Sequence, residues 1–115
     1  MARPKKCRLV DCEVSVVYFK PQGIPMRDLE EIELNLDEIE AIRLADIESL
    51  YHADAAKKMA ISRPTFGNIL ALAHRKIATA LLEGKALRIS SNIENVRLLQ
   101  KPAILNQTLP TEESK

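Results

Sequence analysis

Asn68 stands in the run Ser62-Arg63-Pro64-Thr65-Phe66-Gly67-Asn68, with Arg75 and Lys76 two turns further along. An amide and a hydroxyl framed by cations are the side chains that read and hold a nucleic-acid duplex. Asn pairs bidentately with an adenine edge, Thr reaches either kind of base, and Arg or Lys neutralises phosphate. Two other groupings could do chemistry. Cys7 and Cys12 are soft metal ligands, but a structural zinc site wants four, and the further candidates His52 and His74 lie far along the chain. Free thiols are expected, with no metal and no other cofactor. Glu38 and Glu40 form a carboxylate pair that could serve acid–base work. They fall on what reads as the exposed face of a helix, with no neighbouring nucleophile and no glycine-rich phosphate loop, so an enzyme is not expected.

The elements that must position these residues follow from pattern. VSVVYF at 14–19 is β-branched and aromatic and ends in the Pro and Gly cluster KPQGIP, which predicts a strand and a loop. EIEL at 31–34 alternates and predicts a second short strand. Asn35 is a helix cap followed by an acidic first turn, and Leu36, Ile39, Ile42 and Ala45 recur at helical spacing, giving an amphipathic helix with an acidic outer face. SLY at 49–51 breaks it. HADAAKKM predicts a short helix, and a long one runs from Arg63 or Pro64 to Leu82, stopped by Gly84; KALRIS predicts a last strand.

The short and long helices carry the demands of a helix-turn-helix. Ala56 is small enough for a close crossing, Ala55 and Met59 flank it, and Ile61 plugs the turn. Ser62 suits the cap of the second helix, whose inner face is Phe66, Ile69, Leu70, Ala73, Ile77 and Leu81. Ala60 in the turn, if left-handed, costs about 1 kcal/mol. Pro64 biases Arg63 away from helical geometry, which allows a later start with Arg63 as the cap. The face opposite the core holds Pro64, Thr65, Asn68, Leu72, Arg75, Lys76 and Thr79. Thr65 and Asn68 are placed for base edges; Arg63, Arg75, Lys76 and His74 are placed for phosphates. Leu72 on that face suggests burial against another surface.

The span from Leu36 to Leu81, with its acidic first helix, small-residue second helix and ISRPT turn, resembles the fourth region of bacterial sigma factors. The order MARPKKCR, YFKPQGIP, LDEIEAIRLADIESL, ISRPTFGNIL and EGKALRI resembles a family of small prokaryotic predicted DNA-binding proteins, over about residues 1–90. The resemblance implies DNA binding and transcription regulation, and names no operator or ligand.

Size and charge set the frame. A chain of 115 residues with 46% hydrophobic content builds one core. The expected fold is mainly α, a three-to-four-helix domain with small flanking strands. It comprises a basic arm at 1–13, a helix-turn-helix domain at 14–90 and a polar mobile tail at 91–115. Net charge is +1, but acids dominate 28–48 and bases dominate 57–88, predicting two electrical ends. Arg3, Lys5 and Lys6 in the arm are further candidates for DNA contact. No run of about 20 apolar residues exists to span a membrane, and a reducing cytoplasmic setting is expected. The expected partner is double-stranded DNA, with a homodimer allowed by the small footprint; the alternative is a protein-interaction module that keeps the fold without binding DNA.

Overall fold

The computed structural model describes residues 7–90 and 96–99. It is mostly helical, with three helices, α1 (Leu36–Ile42), α2 (His52–Met59) and α3 (Arg63–Glu83), and five short strands. β2 (Tyr18–Phe19), β3 (Glu31–Leu34) and β4 (Ala86–Ile89) form one sheet in the order β2-β4-β3. β3 and β4 run parallel, with Glu31 opposite Ala86 and Leu34 opposite Ile89, so all three helices lie in the crossover between them. β1 (Arg8–Val10) and β5 (Val96–Leu98) form a separate parallel pair.

Local chemistry explains where each helix begins and ends. Asn35 caps α1 in a capping box: its backbone N–H donates to Glu38 Oε1 at 2.9 Å. α1 passes directly into a π-helical turn at Arg43–Ile47, closed by Glu48 N–H donating to the Arg43 carbonyl at 2.9 Å. Ser49 then adopts a left-handed φ of 59° and breaks the helix. α2 starts at Tyr51 with no side-chain cap bond and ends at Ala60, whose φ of 60° and ψ of 42° are left-handed. The N–H of Ile61 reaches back to the Ala56 carbonyl at 3.0 Å, satisfying an end group of α2 and turning the chain. Ser62 caps α3: its Oγ accepts from the Thr65 N–H at 3.2 Å and its hydroxyl donates to Thr65 Oγ1 at 2.9 Å. Pro64 sits in the first turn, where its missing N–H has no intrahelical duty. Gly84, with φ 69°, ends α3.

Two apolar clusters result. Ala41, Leu44, Ala55, Ala56, Met59, Phe66, Ile69 and Leu70 form the helical one, with Ile61 packed against it. Val10, Cys12, Leu36 and Ile89 form the second, under the β1–β5 pair, with Val96 and Leu98 packed against it.

Several expectations are corrected. Only Tyr18 and Phe19 of VSVVYF are strand, opposite Arg88 and Leu87 of β4. Arg63 is the first residue of α3 and not its cap, since Ser62 takes that place. Leu81 is 76% exposed; Ala80 is the buried residue of that turn. Arg8–Val10, in the expected arm, and Val96–Leu98, in the expected tail, are strands that pair with each other. Residues 1–6 of the proposed arm and 91–95 and 100–115 of the proposed tail lie outside the described residues.

Ala60 supplies a direct test of the turn. Ala60→Gly removes the Cβ clash of the left-handed conformation and is expected to raise stability by about 0.5–1 kcal/mol, read as a higher urea midpoint at unchanged slope. A lower midpoint would mean that the turn has another geometry.

Candidate functional site

The acid-rich and base-rich stretches of the sequence do not stay apart. β3 and β4 are neighbours, so Arg88 meets Glu31 at 3.2 Å and Glu33 at 3.5 Å, and Lys85 meets Glu30 at 2.9 Å and Glu83 at 3.2 Å. α1 lies along α3, so Lys76 donates to Glu38 Oε1 at 2.8 Å and to the Glu33 carbonyl at 2.8 Å. Asp46 and the ring of His74 share a 2.8 Å hydrogen bond. Arg8 faces Asp37 at 3.5 Å, and Arg43 bridges Glu40 and Glu48. The two electrical ends expected from sequence are therefore partly neutralised by one another, which is a consequence of the crossover topology.

Two expected roles change with this pairing. Lys76 is not a free cation on the outer face, since its ammonium is held between α1 and β3. Glu38 and Glu40 are not on an exposed face: they are 3% and 1% exposed. Glu40 accepts from Arg43 Nε at 3.0 Å, from Arg43 Nη2 at 2.9 Å and from the Asp11 N–H at 3.1 Å. These carboxylates are structural ties between α1 and its neighbours. Cys12 lies against Glu40; burial, then the charge of Glu40, pushes its thiol up to about 12, so it stays protonated near neutral pH. Cys7 is exposed, and both cysteines are free. Among the described residues no group of His, Cys, Asp and Glu is arranged to hold a metal ion.

What remains after the pairing is a small set of residues on α2 and α3. Of the cations between 57 and 88, Lys57, Lys58, Arg63 and Arg75 make no hydrogen bond or ion pair through their side chains among the described residues, and all four are exposed. They belong to the last turn of α2 and the first four turns of α3. The acids of these helices, Asp54 and Glu83, sit at the opposite ends, in the first turn of α2 and at the last residue of α3. Asn68 is exposed between these cations, and its amide too has no partner among the described residues. Thr65 is half-buried, with its hydroxyl engaged by Ser62. Arg3, Lys5 and Lys6 lie outside the described residues. The opposite side of α3 is committed to the core through Phe66, Ile69, Leu70 and Ala73, and Phe66 also meets the His52 ring edge-on at 5.2 Å. Leu72 is 49% exposed, and Leu81 and Leu82 are largely exposed. Among the described residues no helix is long and apolar enough to cross a membrane.

The chain matches, over residues 1–95, the family described as "Protein of unknown function DUF134". It is 50% identical over 100 residues to a UPF0251 protein of Pelotomaculum thermopropionicum, covering 87% of this chain and 74% of that one. A UPF0251 protein of Rhodospirillum rubrum is 44% identical over 115 residues, 100% of this chain and 78% of the relative. One from Shewanella halifaxensis is 50% identical over 94 residues, 82% and 98% of the two chains. No solved structure matches the chain.

The Lys76 tie can be cut. Lys76→Met leaves the buried Glu38 carboxylate without its cation and is expected to destabilise the fold by about 2–4 kcal/mol in urea unfolding, whereas Arg75→Met should change stability by less than about 0.5 kcal/mol. Equal small effects at both positions would show that Lys76 is as free as Arg75.

Proposed function

The chain belongs to the DUF134 family, and we propose that its α2–α3 pair is a helix-turn-helix, resembling region four of bacterial sigma factors, that binds double-stranded DNA sequence-specifically in transcription regulation. The observation that carries this reading is the exposed set of Lys57, Lys58, Arg63, Asn68 and Arg75 on α2 and α3, whose side chains have no partner among the described residues, while the other cations between 57 and 88 are paired. A helix of 21 residues is about 31 Å long, and its first half can enter a major groove while its second half stays against the sheet. Supporting it are the alanine-sized contact at Ala56, the turn plugged by Ile61 and the Ser62 cap that fixes where α3 begins. In this arrangement Asn68 reads a base edge, and Arg63, Arg75 and the two lysines hold phosphates. Arg3, Lys5 and Lys6 add a basic arm to the same partner.

A second reading has its own observation: Leu72, Leu81 and Leu82 are exposed along α3, as a helix docking against a protein would be. The two readings differ in salt response. Selection of bound duplexes from a random pool at low salt should yield a consensus. Affinity for it should fall about a hundredfold between 50 and 200 mM salt, as four phosphate contacts require. Asn68→Ala should relax one base preference, while Arg75→Ala weakens all sequences alike. An empty selection, with self-association that ignores salt, would transfer the role to a protein-docking helix.

A further inference from the structure

Taken at 100° per residue, Pro64, Asn68, Ala71 and Arg75 fall within an arc of about 60° and form a single stripe along the first three to four turns of α3. All four are exposed, and the Asn68 and Arg75 side chains bond to nothing among the described residues. The stripe alternates in chemistry: an apolar ring, an amide, a methyl and a cation. Pro64 and Ala71 are about 10 Å apart along the axis, which matches three base-pair steps of about 3.4 Å. A duplex presents one apolar group on its major-groove edges, the thymine 5-methyl, and that group takes apolar contact from side chains of this kind.

We infer that Pro64 and Ala71 are thymine-methyl contacts on either side of an adenine read by Asn68, so that the preferred site is a short A·T-rich element. This rests on the DNA-binding reading above and deepens it by naming the base chemistry. Thr65 is excluded from the stripe both by its angle, about 100° from Pro64, and by its hydroxyl bond to Ser62. The geometry leaves little scope for reading guanine, because the nearest cation on the stripe, Arg75, lies a full turn beyond Ala71, toward the backbone of a duplex entered by the helix start.

The test uses the unmodified protein and a duplex recovered by selection. Each thymine is replaced in turn by deoxyuridine, which removes only the 5-methyl. Two positions flanking the adenine that depends on Asn68 should each lose about fourfold in affinity, the worth of one buried methyl. Ala71→Ser, at an exposed site that leaves the core untouched, should abolish the response at one of them and keep it at the other. A recovered duplex that binds equally well with uracil at every position overturns this inference and leaves DNA binding standing. A selection that recovers no duplex overturns both.

Discussion

The orientation of α3 depends on a partly buried ion pair. Lys76 reaches Glu38 and the Glu33 carbonyl, each at 2.8 Å, from the side of α3 that the apolar stripe of Phe66, Ile69, Leu70 and Ala73 leaves partly open. Apolar packing alone tolerates some rotation of a helix about its axis, because a stripe of small and medium side chains can repack. A buried carboxylate does not, since losing its cation leaves a charge in a low-dielectric site. Glu38 is further held by the Asn35 N–H, which also fixes the start of α1. The same pair therefore sets where α1 begins and which residues α3 turns outward.

That constraint gives the electrostatics their form. Exposed ion pairs such as Arg88 with Glu31 contribute little to stability, typically under 1 kcal/mol. Their larger effect is on the map of free charge. Lys85, Arg88 and Lys76 are neutralised by acids contributed largely by β3 and α1, while Lys57, Lys58, Arg63 and Arg75 find no acid among the described residues. A chain of net charge +1 thus keeps free positive charge on α2 and α3, the kind of charge that attracts a polyanion.

Features decided within a few residues were legible in the sequence. HADAAKKM is α2 to the residue, EIEL is β3, Asn35 and Ser62 cap α1 and α3, and the left-handed Ala60 is where the turn demands one. Features decided by partners distant in the chain were not. The three-residue strands β1 and β5 exist because each supplies the other's hydrogen bonds across some 88 residues, and neither has a local signal. The burial of Glu38 and Glu40 escaped a periodicity reading because an acid on a helix looks exposed until its cation arrives, from Lys76 in the first case. Spacing points Leu81 inward, but Ala80 is the buried residue of that turn and Leu81 is largely exposed. Within the candidate site, Arg63, Asn68 and Arg75 are exposed on α3, whereas Lys76 is tied to Glu38 and the Glu33 carbonyl.

Backbone amide NMR during titration with a mixed-sequence duplex at low salt tests the central claim directly, since non-specific and specific binding use the same face. Shifts should concentrate on Lys57 to Arg75, reverse on adding salt, and spare β1 and β5. Shifts confined to Leu81 and Leu82, or to the β1–β5 pair, with the first half of α3 silent, would contradict it.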